Sequence, residues 1–291
     1  MKTLYKLIIL FIIISCKTLV EEYETETLPP EKYESDTIRL LAIGNSFSED
    51  ALEHNLYNIA KASNKVIIIG NLYYGGASLE FHWHNYTKNN SIYRFFYLDK
   101  NGKRYYTENF NINNAINFDK WDYISLQQVS NYSGIISSFD PYLNNLINEI
   151  KKDNLNLNTK FILHQTWAYQ KNSTHPGFIN YKNDQMNMYE NIVNTYIYWS
   201  KSISSISFII PDGTAIQNGR ATYLGDNFNR DGYHLNERGQ FVVACTWFEK
   251  LFNIDIRYNN FKPNNVKDYE LIHLRNAAHN AVINPNSITT E

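Results

Sequence analysis

Five short apolar runs set the rhythm of this chain: residues 38–43, 66–69, 123–126, 161–163 and 206–210. Each is too short for a buried helix and rich in β-branched or aromatic residues, the mark of a strand covered on both faces. Segments of helical periodicity lie between and after them. Residues 48–63 carry Leu52, Leu56, Ile59 and Ala60 at helical spacing. Further helices are predicted from Asp140-Pro141 to about residue 152, with proline tolerated in the first turn, and over 183–201 and 236–252. Strands that alternate with helices imply parallel pairing through right-handed crossovers. The predicted fold is α/β: a three-layer α/β/α sandwich on a mostly parallel five-stranded sheet. Residues 86–117 break the rhythm. Two runs, 93–98 and 104–110, flank Asp99-Lys100-Asn101-Gly102 and read as an inserted β-hairpin with an Asn-Gly turn. The hairpin either walls the functional site or decorates the surface.

The chain has 291 residues, 43% of them hydrophobic, enough for one sizeable core with appendages. A formal charge of -2 and the lack of a basic stripe argue against nucleic acid as a partner. Lys2 and Lys6 precede an apolar run, residues 7–14, and then Ser15-Cys16. This is the pattern of a secretory signal peptide, too short for a membrane span. Its ending resembles a bacterial lipobox, which implies that Cys16 becomes a lipid-modified first residue. The expected protein is therefore secreted and anchored in the cell envelope through Cys16. Cys245 is then alone in an apolar stretch, as a buried thiol without a disulfide. The expected boundaries are a signal peptide over 1–15, a Glu- and Pro-rich tether over 16–37, the main domain over 38–255, and a loop with a final helix over 256–291 that packs on it.

Two short motifs carry chemistry. Gly44-Asn45-Ser46-Phe47-Ser48 follows the first strand, and Asp231-Gly232-Tyr233-His234 precedes the helix of 236–252. In an open α/β sheet, ligands bind beyond the carboxyl ends of strands, and a helix N-terminus there favours developing negative charge. Ser48 reads as the helix cap, which leaves Ser46 free. A carboxylate three residues before a histidine can bond its Nδ1–H and turn Nε2 towards a serine. Either motif alone is common in turns and caps; the pair in this order is not. His82-Trp83-His84 offers two imidazoles but no third ligand at motif spacing, so no metal is expected.

Further blocks accompany these two: Gly75-Gly76-Ala77-Ser78-Leu79-Glu80 with His82, Leu126-Gln127-Gln128-Val129-Ser130, Thr166-Trp167-Ala168-Tyr169, Pro211-Asp212-Gly213-Thr214-Ala215, and Leu235 after His234. Over residues 38–283 the chain resembles the SGNH, or GDSL-like, hydrolases, whose sheet is flavodoxin-like, and within them a bacterial branch known as DUF4886. The resemblance implies Ser46 as nucleophile, His234 as base and Asp231 as its orienter, with no cofactor. It implies oxyanion donors from the Ser46 N–H, from Gly75 or Gly76, and from an amide after the third strand. That block departs from the family's Gly-x-Asn-Asp, so Gln128 or Asn131 stands as the third donor, with Gln127 a weaker choice. His82, Gln127, His164, Trp167, Tyr169 and Arg220 are expected to line the site and bind substrate; Arg220 would hold a carboxylate or pair with a nearby acid. The implied activity is a serine esterase removing O-acetyl or other short acyl groups from carbohydrate. The alternatives are a short-chain lipid esterase and a carbohydrate-binding lipoprotein without turnover.

Overall fold

A computed structural model describes residues 37–154 and 156–290; the signal peptide, Cys16 and the tether up to residue 36 lie outside the described residues. In chain order the elements are β1 (Thr37–Gly44), α1 (Ser46–Leu52), α2 (Leu56–Ala62), β2 (Val66–Tyr73), α3 (Leu79–Thr87), β3 (Tyr93–Leu98), β4 (Arg104–Phe110), α4 (Ile112–Ile116), β5 (Tyr123–Leu126), α5 (Tyr142–Asp153), β6 (Lys160–His164), α6 (Gln185–Ser202), β7 (Ile206–Ile210), α7 (Asp212–Arg220), α8 (Glu237–Phe252) and α9 (Asp268–Ile283). The sheet order is β4-β3-β2-β1-β5-β6-β7. The five strands read from the sequence run parallel through β2-β1-β5-β6-β7. Helices α1, α2, α7, α8 and α9 pack among themselves on one face, and α3, α4 and α5 do so on the other. No described helix is long and apolar enough to cross a membrane.

The sheet has seven strands rather than five, because the inserted hairpin joins it. β3 pairs antiparallel with β2, from Ile69 opposite Leu98 to Tyr73 opposite Arg94, and β4 pairs with β3. Tyr93, Phe95 and Phe96 are buried, whereas β4 is largely exposed as the new edge. A bare β2 would be a long apolar edge, which sheets avoid. The hairpin covers it and is neither a wall of the site nor a loose decoration.

Two other boundaries differ. β2 does not stop at Gly70; it runs on to Tyr73. A Cβ on Gly70 would sit 2.8 Å from the Trp121 ring, so this glycine permits a close approach within a strand. The helix read over 48–63 is split into α1 and α2, with Glu53 turned inward at the break. Glu53 Oε1 accepts from Asn71 Nδ2 at 2.7 Å and meets Arg94 at 3.1 Å. Helices α3 and α7 had no prediction, since both are short and neither carries a strong apolar stripe; α7 is buried along its whole length regardless.

Candidate active site

Ser46 owes its position to the turn between β1 and α1. The cap of α1 is Asn45, not Ser48: Asn45 Oδ1 accepts the Phe47 N–H at 3.0 Å. Ser48 is buried, its Oγ 2.8 Å from both Asn45 O and Asn71 Oδ1. Ser46 is thus the first helical residue, where a backbone N–H has no intrahelical acceptor. A Cβ on Gly44 would lie 2.6 Å from Ser48 Oγ, so glycine is what lets the strand end this close to the helix.

His234 arrives from the loop before α8. Its Nε2 lies 2.8 Å from Ser46 Oγ, and its Nδ1 lies 2.6 Å from Asp231 Oδ2. The other Asp231 oxygen accepts the N–H groups of His234 (2.8 Å) and Tyr233 (3.2 Å), which closes the Asp-x-x-His turn on itself. Gly232, at φ +93°, supplies the left-handed residue that turn requires. Partial burial would raise the Asp231 carboxyl, but the bonds from His234 and Tyr233 prevail and hold it below the usual carboxylate range.

A residue that the sequence did not single out joins the two halves. Asp50, one turn after Ser46 on α1, is buried and accepts from Leu235 N (2.8 Å), Arg230 Nη1 (2.8 Å) and Gln240 Nε2 (2.9 Å). One carboxylate on the serine's helix therefore grips the histidine's loop from both sides. Its only sequence signal is an acid on the buried face of a short helix. Trp167 does related work: it stacks on Phe47 at 4.1 Å and 4°, while its Nε1 donates to Tyr233 O at 2.7 Å.

These groups open on a cleft of about 410 Å³. Ser46, His234, Gly75 and Gly76 line it, and so do His175 and Arg230, which sequence patterns gave no reason to choose. Among the described residues no hydrogen bond uses the N–H of Ser46, Gly75 or Gly76. Gly76 sits at φ +70°, a conformation that favours glycine. Burial and the nearby His234 lower the affinity of His175 for a proton.

The third donor block differs from expectation. Gln128 is buried, and its Nε2 donates to Ser138 O at 2.8 Å while its Oε1 accepts from Leu79 and Val129 N–H. Asn131 lies outside the cleft lining, its carbonyl bonded by Asn180 and Tyr181. The block presents Val129 and Ser130 to the cleft instead. The 3₁₀ turn at Ser130–Tyr132 swings the chain away before Asn131 can face Ser46.

None of the six side chains expected to bind substrate lines the cleft. His82 is fully buried against Tyr93, its Nδ1 3.0 Å from the Tyr93 hydroxyl, and burial pushes its pKa down to about 3. Helical geometry turns His84 about 200° from it, so the two imidazoles do not converge. Gln127 and His164 bond each other in the interior. Trp167 and Tyr169 are packed, the latter with its hydroxyl 2.7 Å from Ser130 Oγ. Arg220 pairs with Asp226 at 2.7 Å and donates to Asn229 at 2.8 Å, bracing the loop that leads to Asp231. Burial lowers its guanidinium to about 10. Trp167 and Tyr169 thus brace residues of the cleft rather than line it themselves. Glu249, Asp255 and His279 also offer ligand atoms within 4.8 Å of one another, yet Glu249 already bonds His279 at 2.7 Å and Asp255 is held by Arg257. That cluster is not part of the cleft lining.

The fold, a mostly parallel sheet between layers of helices, is one seen among SGNH-type hydrolases. Two solved structures share it: a candidate SGNH hydrolase from Slackia heliotrinireducens (TM-score 0.50, 16% identity, covering 74% of this chain and 99% of that one) and a variant of an acetyl-xylooligosaccharide esterase from Geobacillus (TM-score 0.50, 11% identity, 77% and 97%). At that identity the likeness is one of fold. Closer is a DUF4886 family protein from Bacteroides uniformis, 42% identical with a TM-score of 0.85, covering 87% of this chain and 98% of that one. The model of the domain of unknown function DUF4886 matches residues 39–281, and the chain belongs to that family. No curated protein matches it.

Proposed function

We propose that this protein is a serine esterase that works through an acyl-enzyme. The observation that carries the reading is the row Asp231–His234–Ser46, with contacts of 2.6 and 2.8 Å, opening on a cleft lined by Gly75 and Gly76. His234 Nε2 takes the Ser46 proton as Oγ attacks an ester carbonyl, and Asp231 stabilises the imidazolium that results. The N–H groups of Ser46 and of Gly75 or Gly76 receive the oxyanion, with the Ser130 hydroxyl in the place an amide was expected. His234 then returns its proton to the leaving alkoxide. Water, deprotonated by the same imidazole, releases the acid and restores Ser46.

The substrates best suited to this cleft are short O-acyl esters, above all O-acetyl, on carbohydrate. Tyr73, Tyr233, Glu49, His175 and Arg230 give its walls flat rings and hydrogen-bonding groups in place of a long apolar channel for a fatty chain. The Geobacillus esterase of the same fold acts on acetylated xylooligosaccharides, a precedent for the scaffold. Secretion and an acylated Cys16 would place the enzyme at the envelope, where such glycans are met. The test is hydrolysis of 4-nitrophenyl acetate, then acetate release from a panel of acetylated glycans, by wild type and Ser46→Ala. The variant is expected to lose turnover at least about 1,000-fold; equal rates would sink the proposal. Membrane partitioning of wild type against Cys16→Ala tests the anchor.

A further inference from the structure

Behind the cleft, a buried chain of polar contacts crosses the carboxyl ends of five neighbouring strands, from Asp212 beyond β7 to Ala77 beyond β2. Trp247 Nε1 on α8 donates to Asp212 Oδ2 (2.8 Å), and the same oxygen lies 2.8 Å from His164 Nε2 at the end of β6. His164 Nδ1 is 2.7 Å from Gln127 Oε1, beyond β5. Gln127 Nε2 donates to Asn45 Oδ1 (2.7 Å), beyond β1, and Asn45 Nδ2 donates to Ala77 O (2.9 Å), beyond β2. Every member is at most 2% exposed.

The direction of the chain follows from its backbone end. Ala77 O only accepts and Phe47 N only donates, so Asn45 turns Nδ2 to the first and Oδ1 to the second. Gln127 must then offer Nε2 to Asn45 and Oε1 to His164. An amide oxygen only accepts, so His164 Nδ1 carries a proton. His164 Nε2 then lies 2.8 Å from Asp212 Oδ2, too close for a bare ring nitrogen to face a carboxylate; a proton on either atom relieves the contact and leaves Nδ1 protonated. The contact is short but not in hydrogen-bond geometry, so charge attraction rather than a linear hydrogen bond sustains it. Burial raises the Asp212 carboxyl to about 6, and its Oδ1 has no partner among the described residues. Were that proton lost, a neutral His164 would turn its remaining N–H to the carboxylate, and Gln127 Oε1 would face a bare nitrogen.

We propose that Asp212 and His164 are positioning residues whose shared proton fixes His164 as an Nδ1–H donor and, through Gln127 and Asn45, holds the Ser46 helix start in register with the Gly75-Gly76 turn. Its catalytic consequence rests on the esterase reading; its proton arrangement does not. A carboxyl is required at position 212. Its Oδ2 accepts from Trp247 and shares a proton with His164 at once, whereas an amide offers at that point either an acceptor oxygen or a donor nitrogen.

The test combines nitrogen NMR of the full chain labelled with ¹⁵N-histidine and ester turnover. Wild type is expected to show one ring protonated at Nδ1 that disappears in His164→Asn. In Asp212→Asn the proton moves to Nε2 and kcat falls about 100-fold, as for a misplacement near 1 Å, with KM little changed. His164→Asn, whose amide can still donate to Gln127, should keep more activity than His164→Leu of similar bulk. A wild-type His164 protonated only at Nε2 overturns the proposal, and so does an Asp212→Asn protein with unaltered tautomer and kcat. The wild-type spectrum decides the proton's place even if a variant fails to fold. Equal turnover by wild type and Ser46→Ala would instead remove the esterase reading and leave the tautomer to be judged on its own.

Discussion

Asp50 illustrates what a single side chain can hold together. It accepts one backbone and two side-chain hydrogen bonds from residues 180 to 190 positions away: the Leu235 N–H, the Arg230 guanidinium and the Gln240 amide. Removing it takes the acceptor from the buried Leu235 N–H and ends the contacts to Arg230 and Gln240; breaking a network around a buried carboxylate costs about 3 kcal/mol. Asp50→Ala is therefore expected to lower the unfolding free energy by about that amount in urea titrations, and to depress kcat for 4-nitrophenyl acetate more than it raises KM. Ser46 and the Asp231/His234 pair could be found from sequence because each is a local motif whose geometry is set within a few residues. Asp50, His175 and Arg230 could not, since their meaning comes from partners brought in by the fold. The six supposed substrate binders show the opposite error. Blocks such as Thr166-Trp167-Ala168-Tyr169 sit at strand ends, where ligands bind, but the side chains there turn down into the interior and support the site rather than face it.

Among the elements, the break between α1 and α2 has a titrating group built into it. Glu53 is buried with Asn71 and Arg94, and desolvation outweighs both partners, raising its carboxyl from 4.5 to about 7. The native state thus binds this proton more tightly than the unfolded chain. The stability it contributes is complete below the unfolded value of 4.5 and is lost as pH rises through 7. Between about pH 4.5 and pH 7 that loss is on the order of 3 kcal/mol. Glu53→Gln should show a flatter dependence than wild type when unfolding free energies are compared at about pH 5 and about pH 8; parallel curves would contradict this. Helical spacing across residues 48–63 concealed the break, because an apolar stripe records which face is buried and not whether the backbone is continuous. The hairpin was legible as a hairpin from its Asn-Gly turn. Its pairing with β2 was not, since nothing local says which edge a strand will cover.

The described residues form a sheet covered by helices, and its core leaves Cys245 no access to solvent. Burial raises that thiol well above its ordinary value, so neither exposure nor thiolate character favours reaction. In a Cys16→Ser chain, Cys245 should be silent towards a disulfide reagent in buffer and react at once in denaturant; prompt labelling of the native protein would refute the packing of α8. The order of the fold has a different kind of consequence. Ser46 opens the first helix, and its partner His234 lies 188 residues later, on the threshold of α8. During synthesis Ser46 emerges long before His234 can reach it. A chain that is unfinished, clipped before residue 234 or stalled short of docking that loop carries an ordinary serine. On the proposed esterase reading, acyl chemistry is therefore reserved to copies folded past residue 234, a safeguard written into the threading of the chain rather than into any inhibitor.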